Sequence, residues 1–84
     1  MSKQKNDIRI TLHVNGHAVE FFPGKSATHH LTLPAPMSIR EILEFMGVKS
    51  ELVMFAFSNG QRRDKEYVPA DGEELTLITP PAGG

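Results

Sequence analysis

The chain contains no cysteine in its 84 residues. That excludes disulfides, cysteine-ligated zinc or iron-sulfur clusters, and a cysteine nucleophile, and it fits a reducing cytoplasm. Any sulfur this protein handles is therefore not held on a side chain. Excess charge is also missing: nine lysines and arginines stand against ten aspartates and glutamates. A near-neutral chain is a poor general nucleic-acid binder, so partners are expected to be recognised by shape and local charge. No apolar run approaches the roughly 20 residues that cross a bilayer as a helix, and no membrane partner is expected. Met1 to Asn6 are polar with two lysines and no apolar segment behind them, which predicts neither a signal peptide nor a membrane anchor there. No glycine-rich phosphate loop, serine triad or paired-carboxylate arrangement is visible, and no bound cofactor is expected.

What is present is enough for one domain, near the size at which a single core supplies only a few kcal/mol of net stability. We expect a disordered segment over residues 1–6, a globular domain over 7–78 and a flexible tail over 79–84. Ile8, Ile10, Leu12 and Val14 alternate with Arg9, Thr11 and His13, the period of a strand with one buried face. Asn15-Gly16 then suits a two-residue hairpin turn, which would pair Leu12 with Val19 and Ile10 with Phe21. The alternative makes residues 15–28 an irregular connection and pairs His29 to Leu33 with the first strand. A strand at His29 to Leu33 is expected either way.

The helix is the best-specified element. Ser38 and Glu41 form an S-x-x-E capping box, and Met37 can staple against Ile42. Ile39, Ile42, Leu43 and Met46 follow at helical spacing, with Arg40, Glu41 and Glu44 facing water. Gly47 is the expected stop. Val53 to Phe57 reads as an interior strand closed by Asn59-Gly60, Gln61 to Lys65 as a charged turn, Tyr67-Val68 as a very short strand, Asp71-Gly72 as a turn and Glu74 to Ile78 as the last strand. A mixed sheet of four to five strands with one main covering helix is an α+β roll of two layers.

Beyond the last strand lie Thr79, Pro80, Pro81, Ala82, Gly83 and Gly84. The prolines cannot donate backbone hydrogen bonds and bias the segment to an extended spacer. Six extended residues reach about 20 Å. Gly83 and Gly84 lack Cβ atoms, so this end fits a channel too narrow for other residues and leaves the Gly84 carboxylate unhindered.

Asp71-Gly72-Glu73-Glu74-Leu75 ahead of an apolar strand, Asn59-Gly60 after another, and Pro80-Pro81-Ala82-Gly83-Gly84 together resemble the β-grasp, ubiquitin-like sulfur carriers of the MoaD/ThiS type. The small subunit of molybdopterin synthase and the sulfur carrier of thiamine biosynthesis belong to this type. The resemblance runs over residues 8–84 in order and spacing. The proline pair stands one step nearer the glycines than in the molybdopterin type, and the Gly16 to Thr28 segment is longer than in thiamine carriers, so both pathways stay open; the Pro-Pro before Ala-Gly-Gly is more similar to the molybdopterin branch, which is the one favoured. The resemblance implies a β-grasp fold and a carrier that is not itself an enzyme. An E1-like enzyme would use ATP to adenylate Gly84, and a persulfide enzyme would supply the sulfur of a thiocarboxylate. The acceptor would be a molybdopterin synthase large subunit or a thiazole synthase. It further implies partner contacts through Gly83, Ala82, Pro81 and Pro80, and through a sheet-face patch that includes Phe55 and Phe57.

A ubiquitin-like modifier would use the same carboxylate with a lysine amine as acceptor, and a plain β-grasp interaction module would not use it at all. The histidines carry less. His29 and His30 are adjacent, so in a strand they face opposite sides of the sheet and cannot share a metal without distortion. His13 and His17 are expected near solvent, and Arg62, Arg63 and Lys65 as a solvated turn.

Overall fold

The structure is a computed structural model that describes residues 7–80. Expectations for residues 1–6 and for Pro81, Ala82, Gly83 and Gly84 lie outside the described residues. Five strands form one mixed sheet in the order β2-β1-β5-β3-β4. They are β1 (Ile8–Val14), β2 (Thr28–Leu33), β3 (Phe55–Ser58), β4 (Gln61–Arg63) and β5 (Glu74–Ile78), with helix α1 (Ile39–Phe45) between β2 and β3. β1 runs parallel to β5 and antiparallel to β2, and β3 is antiparallel to both β4 and β5. One helix against a five-stranded mixed sheet of this order is a β-grasp roll.

The alternation in β1 does what its period demands. Ile10, Leu12 and Val14 point into the core, and Leu75 and Leu77 of β5 join them with no exposed surface. Ile39, Ile42 and Leu43 seal the same layer from α1. Each such side chain contributes about 1.5–3 kcal/mol by leaving water.

The capping box is present in full: Glu41 N–H donates to Ser38 Oγ at 3.1 Å, and Ser38 N–H donates to Glu41 Oε1 at 2.9 Å. Two more donors of the first turn are met from outside the helix, since Ile39 N–H donates to Tyr67 O and Arg40 N–H to Lys65 O, both at 2.9 Å. The helix stops where expected, with Gly47 at φ +82°, a left-handed conformation that favours glycine.

One open alternative is decided and two expectations are corrected. The Asn15-Gly16 hairpin does not form; the other arrangement does, an irregular connection followed by a strand that pairs with the first. Residues 16–21 and 23–25 make short 3-10 turns, and β2 itself pairs with β1, Leu12 opposite His29 and Ile10 opposite Leu31. Phe22 and Ala18 turn into the core while Phe21 stays 60% exposed, so the apolar residues here follow a turn's spacing and not a strand's. Gln61 to Lys65 is not simply a turn. Asn59 and Gly60 both have positive φ, 54° and 75°, and the tight two-residue loop they close sends Gln61–Arg63 straight back as β4 against β3. Nor is Tyr67-Val68 a strand, because the carbonyls of Lys65 and Tyr67 are spent on the start of α1.

Candidate functional site

β5 is the strand that carries the chain toward its glycines, and the turn before it fixes where it lies. Asp71 Oδ1 accepts from Arg9 N–H at 2.8 Å, Gly72 N–H donates to Arg9 O at 2.6 Å, and Thr11 N–H donates to Glu73 O at 3.1 Å. A side-chain oxygen thus extends the β1–β5 ladder past the first residue of β5. Gly72 has φ +86°, which the turn requires.

Glu73 then ties the turn to the opposite side of the sheet. Its carboxylate accepts from Tyr67 Oη at 2.8 Å, from Ala70 N–H at 2.8 Å and from the buried Ser58 hydroxyl. Burial alone would raise the Glu73 carboxyl, but the hydrogen bonds from Ser58, Ala70 and Tyr67, with Arg63 nearby, hold it below its ordinary value. The same bond to Glu73, with burial, pushes the Tyr67 phenol up. Arg63 stacks on the Tyr67 ring at 4.4 Å. At the other end of β5, Met54 N–H donates to Ile78 O at 2.8 Å, and the chain leaves the sheet at Thr79.

Among the described residues, no helix or strand covers the face of the sheet away from α1. Register aligns Phe57 with Thr76 and Phe55 with Ile78 across β3 and β5. Phe57 is 41% exposed and meets the half-buried Phe55 edge-on at 5.6 Å, while the Arg62 guanidinium covers the Phe55 ring at 4.0 Å. Cation–π geometry of this kind lets an apolar patch carry positive charge. The basic residues expected as a solvated turn are therefore each engaged: Arg62 on Phe55, Arg63 on Tyr67, and Lys65 through Nζ to Ser50 O at 3.0 Å. Further along this face, His13 Nε2 lies 3.5 Å from Glu74 Oε1, and His30 Nδ1 lies 3.2 Å from Thr11 Oγ1.

His29 and His30 take opposite faces. His29 packs on the Phe22 ring at 5.5 Å and donates through Nε2 to Ser26 O at 2.7 Å, whereas His30 is exposed. His17 is also exposed and lines a shallow groove of about 150 Å³ with Ala18, Phe21, Leu52, Thr79 and Pro80. Among the described residues, no group of three or more His, Cys, Asp or Glu is arranged to hold a metal ion, and no helix is long and apolar enough to cross a membrane.

Sequence reasoning placed the Asp71-Gly72 turn, and it expected Phe55 and Phe57 outside the core, where the structure has them half-buried and exposed. It missed the Glu73 clasp, which joins the nearby Ala70 and Tyr67 to Ser58, 15 residues away on β3, and the placement of Arg62 on Phe55. An Arg two residues beyond an Asn-Gly turn was the available signal for the latter, since a two-residue loop sets Arg62 opposite Phe57.

The fold is shared with a known protein. The solution structure of the Haloferax volcanii HVO 2177 protein superposes with a TM-score of 0.72 at 14% identity, over 100% of this chain and 93% of that one. At this identity the likeness is one of fold. No family model matches the chain, and no curated protein matches it.

Proposed function

We propose that this protein is a sulfur carrier of the MoaD/ThiS type, in which the Gly84 carboxylate is the reactive group. The observation that carries the reading is the position of β5: a strand clamped at both ends in a β-grasp sheet runs directly into Thr79-Pro80-Pro81-Ala82-Gly83-Gly84. A free carboxylate is a poor electrophile, because its charge repels nucleophiles and oxide is a poor leaving group. An adenylating enzyme therefore joins it to AMP, releasing pyrophosphate from ATP. A persulfide then displaces AMP through its terminal sulfur, and a second thiol takes the rest of the donor as a disulfide and frees the thiocarboxylate. The carrier supplies reach and docking and no catalytic group. The open-face patch of Phe55, Phe57 and Arg62 serves as the docking side, with a pterin-type or thiazole-type synthase as acceptor.

The test uses intact mass. Protein isolated from cells should end at the Gly84 carboxylate, and incubation with its adenylating enzyme, ATP and a persulfide donor should exchange one oxygen for sulfur. Deleting Gly84 moves the carboxylate by about 3 Å, outside the tolerance of a positioned attack. That variant should lose sulfur loading with an unchanged thermal midpoint. Equal loading of the shortened protein overturns the reading, and Gly84 found joined to lysines of other proteins moves the function to a protein modifier.

A further inference from the structure

The sheet has two unlike edges. β4 is three residues long and carries Arg62 and Arg63, the short, charged edge that discourages strand pairing. β2 is six residues long, Thr28-His29-His30-Leu31-Thr32-Leu33, with no lysine, arginine, acid or proline in it. Its outer side is fixed by the ladder. Val14 N–H donates to Ala27 O at 2.7 Å, so pairing alternation directs the N–H and C=O groups of His29, Leu31 and Leu33 toward β1 and those of Thr28, His30 and Thr32 outward.

Thr28 is already satisfied. Its N–H donates to Ser26 Oγ at 3.4 Å, and the Ser26 hydroxyl donates to its carbonyl at 2.9 Å. That leaves two donors and two acceptors, on His30 and Thr32, without a partner among the described residues.

We propose that the β2 edge pairs with the β2 edge of a second copy of this chain, antiparallel about a twofold axis through Leu31. In that register His30 faces Thr32 of the second copy and Thr32 faces its His30. The four backbone groups on each chain are then all used, giving four hydrogen bonds. Leu31, half-buried on the α1 side, meets its own copy, where the close non-hydrogen-bonded spacing favours side-chain contact. The pairing also ends cleanly. Thr28, capped by Ser26, falls opposite Pro34, which has no N–H to leave unpaired. Because β2 carries no formally charged side chain, two copies meet without like-charge repulsion, whereas two β4 edges would set arginines against arginines. This inference is independent of the reading of the C-terminal glycines.

The buried area of one strand pair is at the low end for specific interfaces, so the dimer is weak, with a Kd between about 1 μM and 1 mM. Sedimentation of the full chain up to about 1 mM should show a concentration-dependent monomer–dimer equilibrium. Amide exchange at His30 and Thr32 should slow as the dimer fills. His30→Pro removes an outward N–H and no β1–β2 backbone bond, losing across that pair only the exposed side-chain contact with Thr11, so it should stay folded and lose the dimer. Thr32→Lys should weaken association without changing the circular dichroism spectrum, and Phe57→Ala should leave it unchanged. A chain monomeric throughout the series overturns the proposal. So does a dimer that survives both β2 variants, or one lost in Phe57→Ala.

Discussion

The start of α1 and the approach to β5 solve the same problem, buried polar groups that need partners, by opposite means. At α1 the partners lie three residues apart in one capping box. At β5 they come from Ser58, Tyr67 and Ala70, all converging on Glu73. The local solution can be read from four consecutive residues and forms as the helix forms. The distant one, in which Ala70 is three residues from Glu73 but Ser58 is 15 away, is complete only once β3, the Tyr67 loop and β5 are assembled, so it stabilises the finished roll and not its parts. It also sets the position from which the chain continues to its glycines.

The largest effect should follow from breaking the distant solution. Glu73→Ala strands the Ser58 hydroxyl in the core and frees Tyr67 and Ala70, a loss of about 3 kcal/mol in denaturant unfolding. The acid limb of stability checks the cause. A carboxyl held below its ordinary value of 4.5 stabilises the fold above that value, and the contribution disappears as pH falls through the folded-state value. Glu73→Gln should therefore lose more stability at neutral pH than in acid, narrowing its gap from the parent. A gap that is constant with pH would mean that the charge of Glu73 is not what its partners hold.

The same contrast explains what was legible. Period two in β1, the capping box and the Asp71-Gly72 turn are local patterns, and each is where the residues placed it. Residues 16–25 left two readings open because Asn15-Gly16 offers good hairpin chemistry, and β2 decides between them by offering six residues of pairing while the 3-10 turns still bury Ala18 and Phe22. Tyr67-Val68 looked like a strand because β-propensity says nothing of the orphan donors at the start of α1 that claim the Tyr67 and Lys65 carbonyls. Of the candidate site, the two phenylalanines and the route out of β5 were readable, while the guanidinium on Phe55 and the Glu73 clasp needed the assembled sheet.

Breaking the local solution should cost less. Ser38→Ala removes one capping bond, and Ile39 and Arg40 keep their outside acceptors, so the loss should be about 1 kcal/mol. Denaturant melts indistinguishable from the parent would refute the capping role of the Ser38 hydroxyl.

The smallest effect decides whether the two regions are separate at all. Tyr67 belongs to both: its carbonyl accepts from Ile39 N–H at 2.9 Å, and its hydroxyl donates to Glu73. If Glu73 holds the Tyr67 ring and the ring holds the backbone that caps α1, then losing Glu73 already loosens the helix start. Removing Ser38 afterwards should cost less than it does alone. A double-mutant cycle of Ser38→Ala and Glu73→Ala should give a coupling of about 0.5 kcal/mol, the low end for residues that share a partner. Tyr67→Phe keeps the carbonyl and the ring but deletes the hydroxyl through which Glu73 acts, so in that background the coupling should vanish and Ser38→Ala should cost the reduced amount that it costs beside Glu73→Ala. Strict additivity in the parent would leave the capping box and the Glu73 clasp as independent devices, joined by the chain and by nothing else.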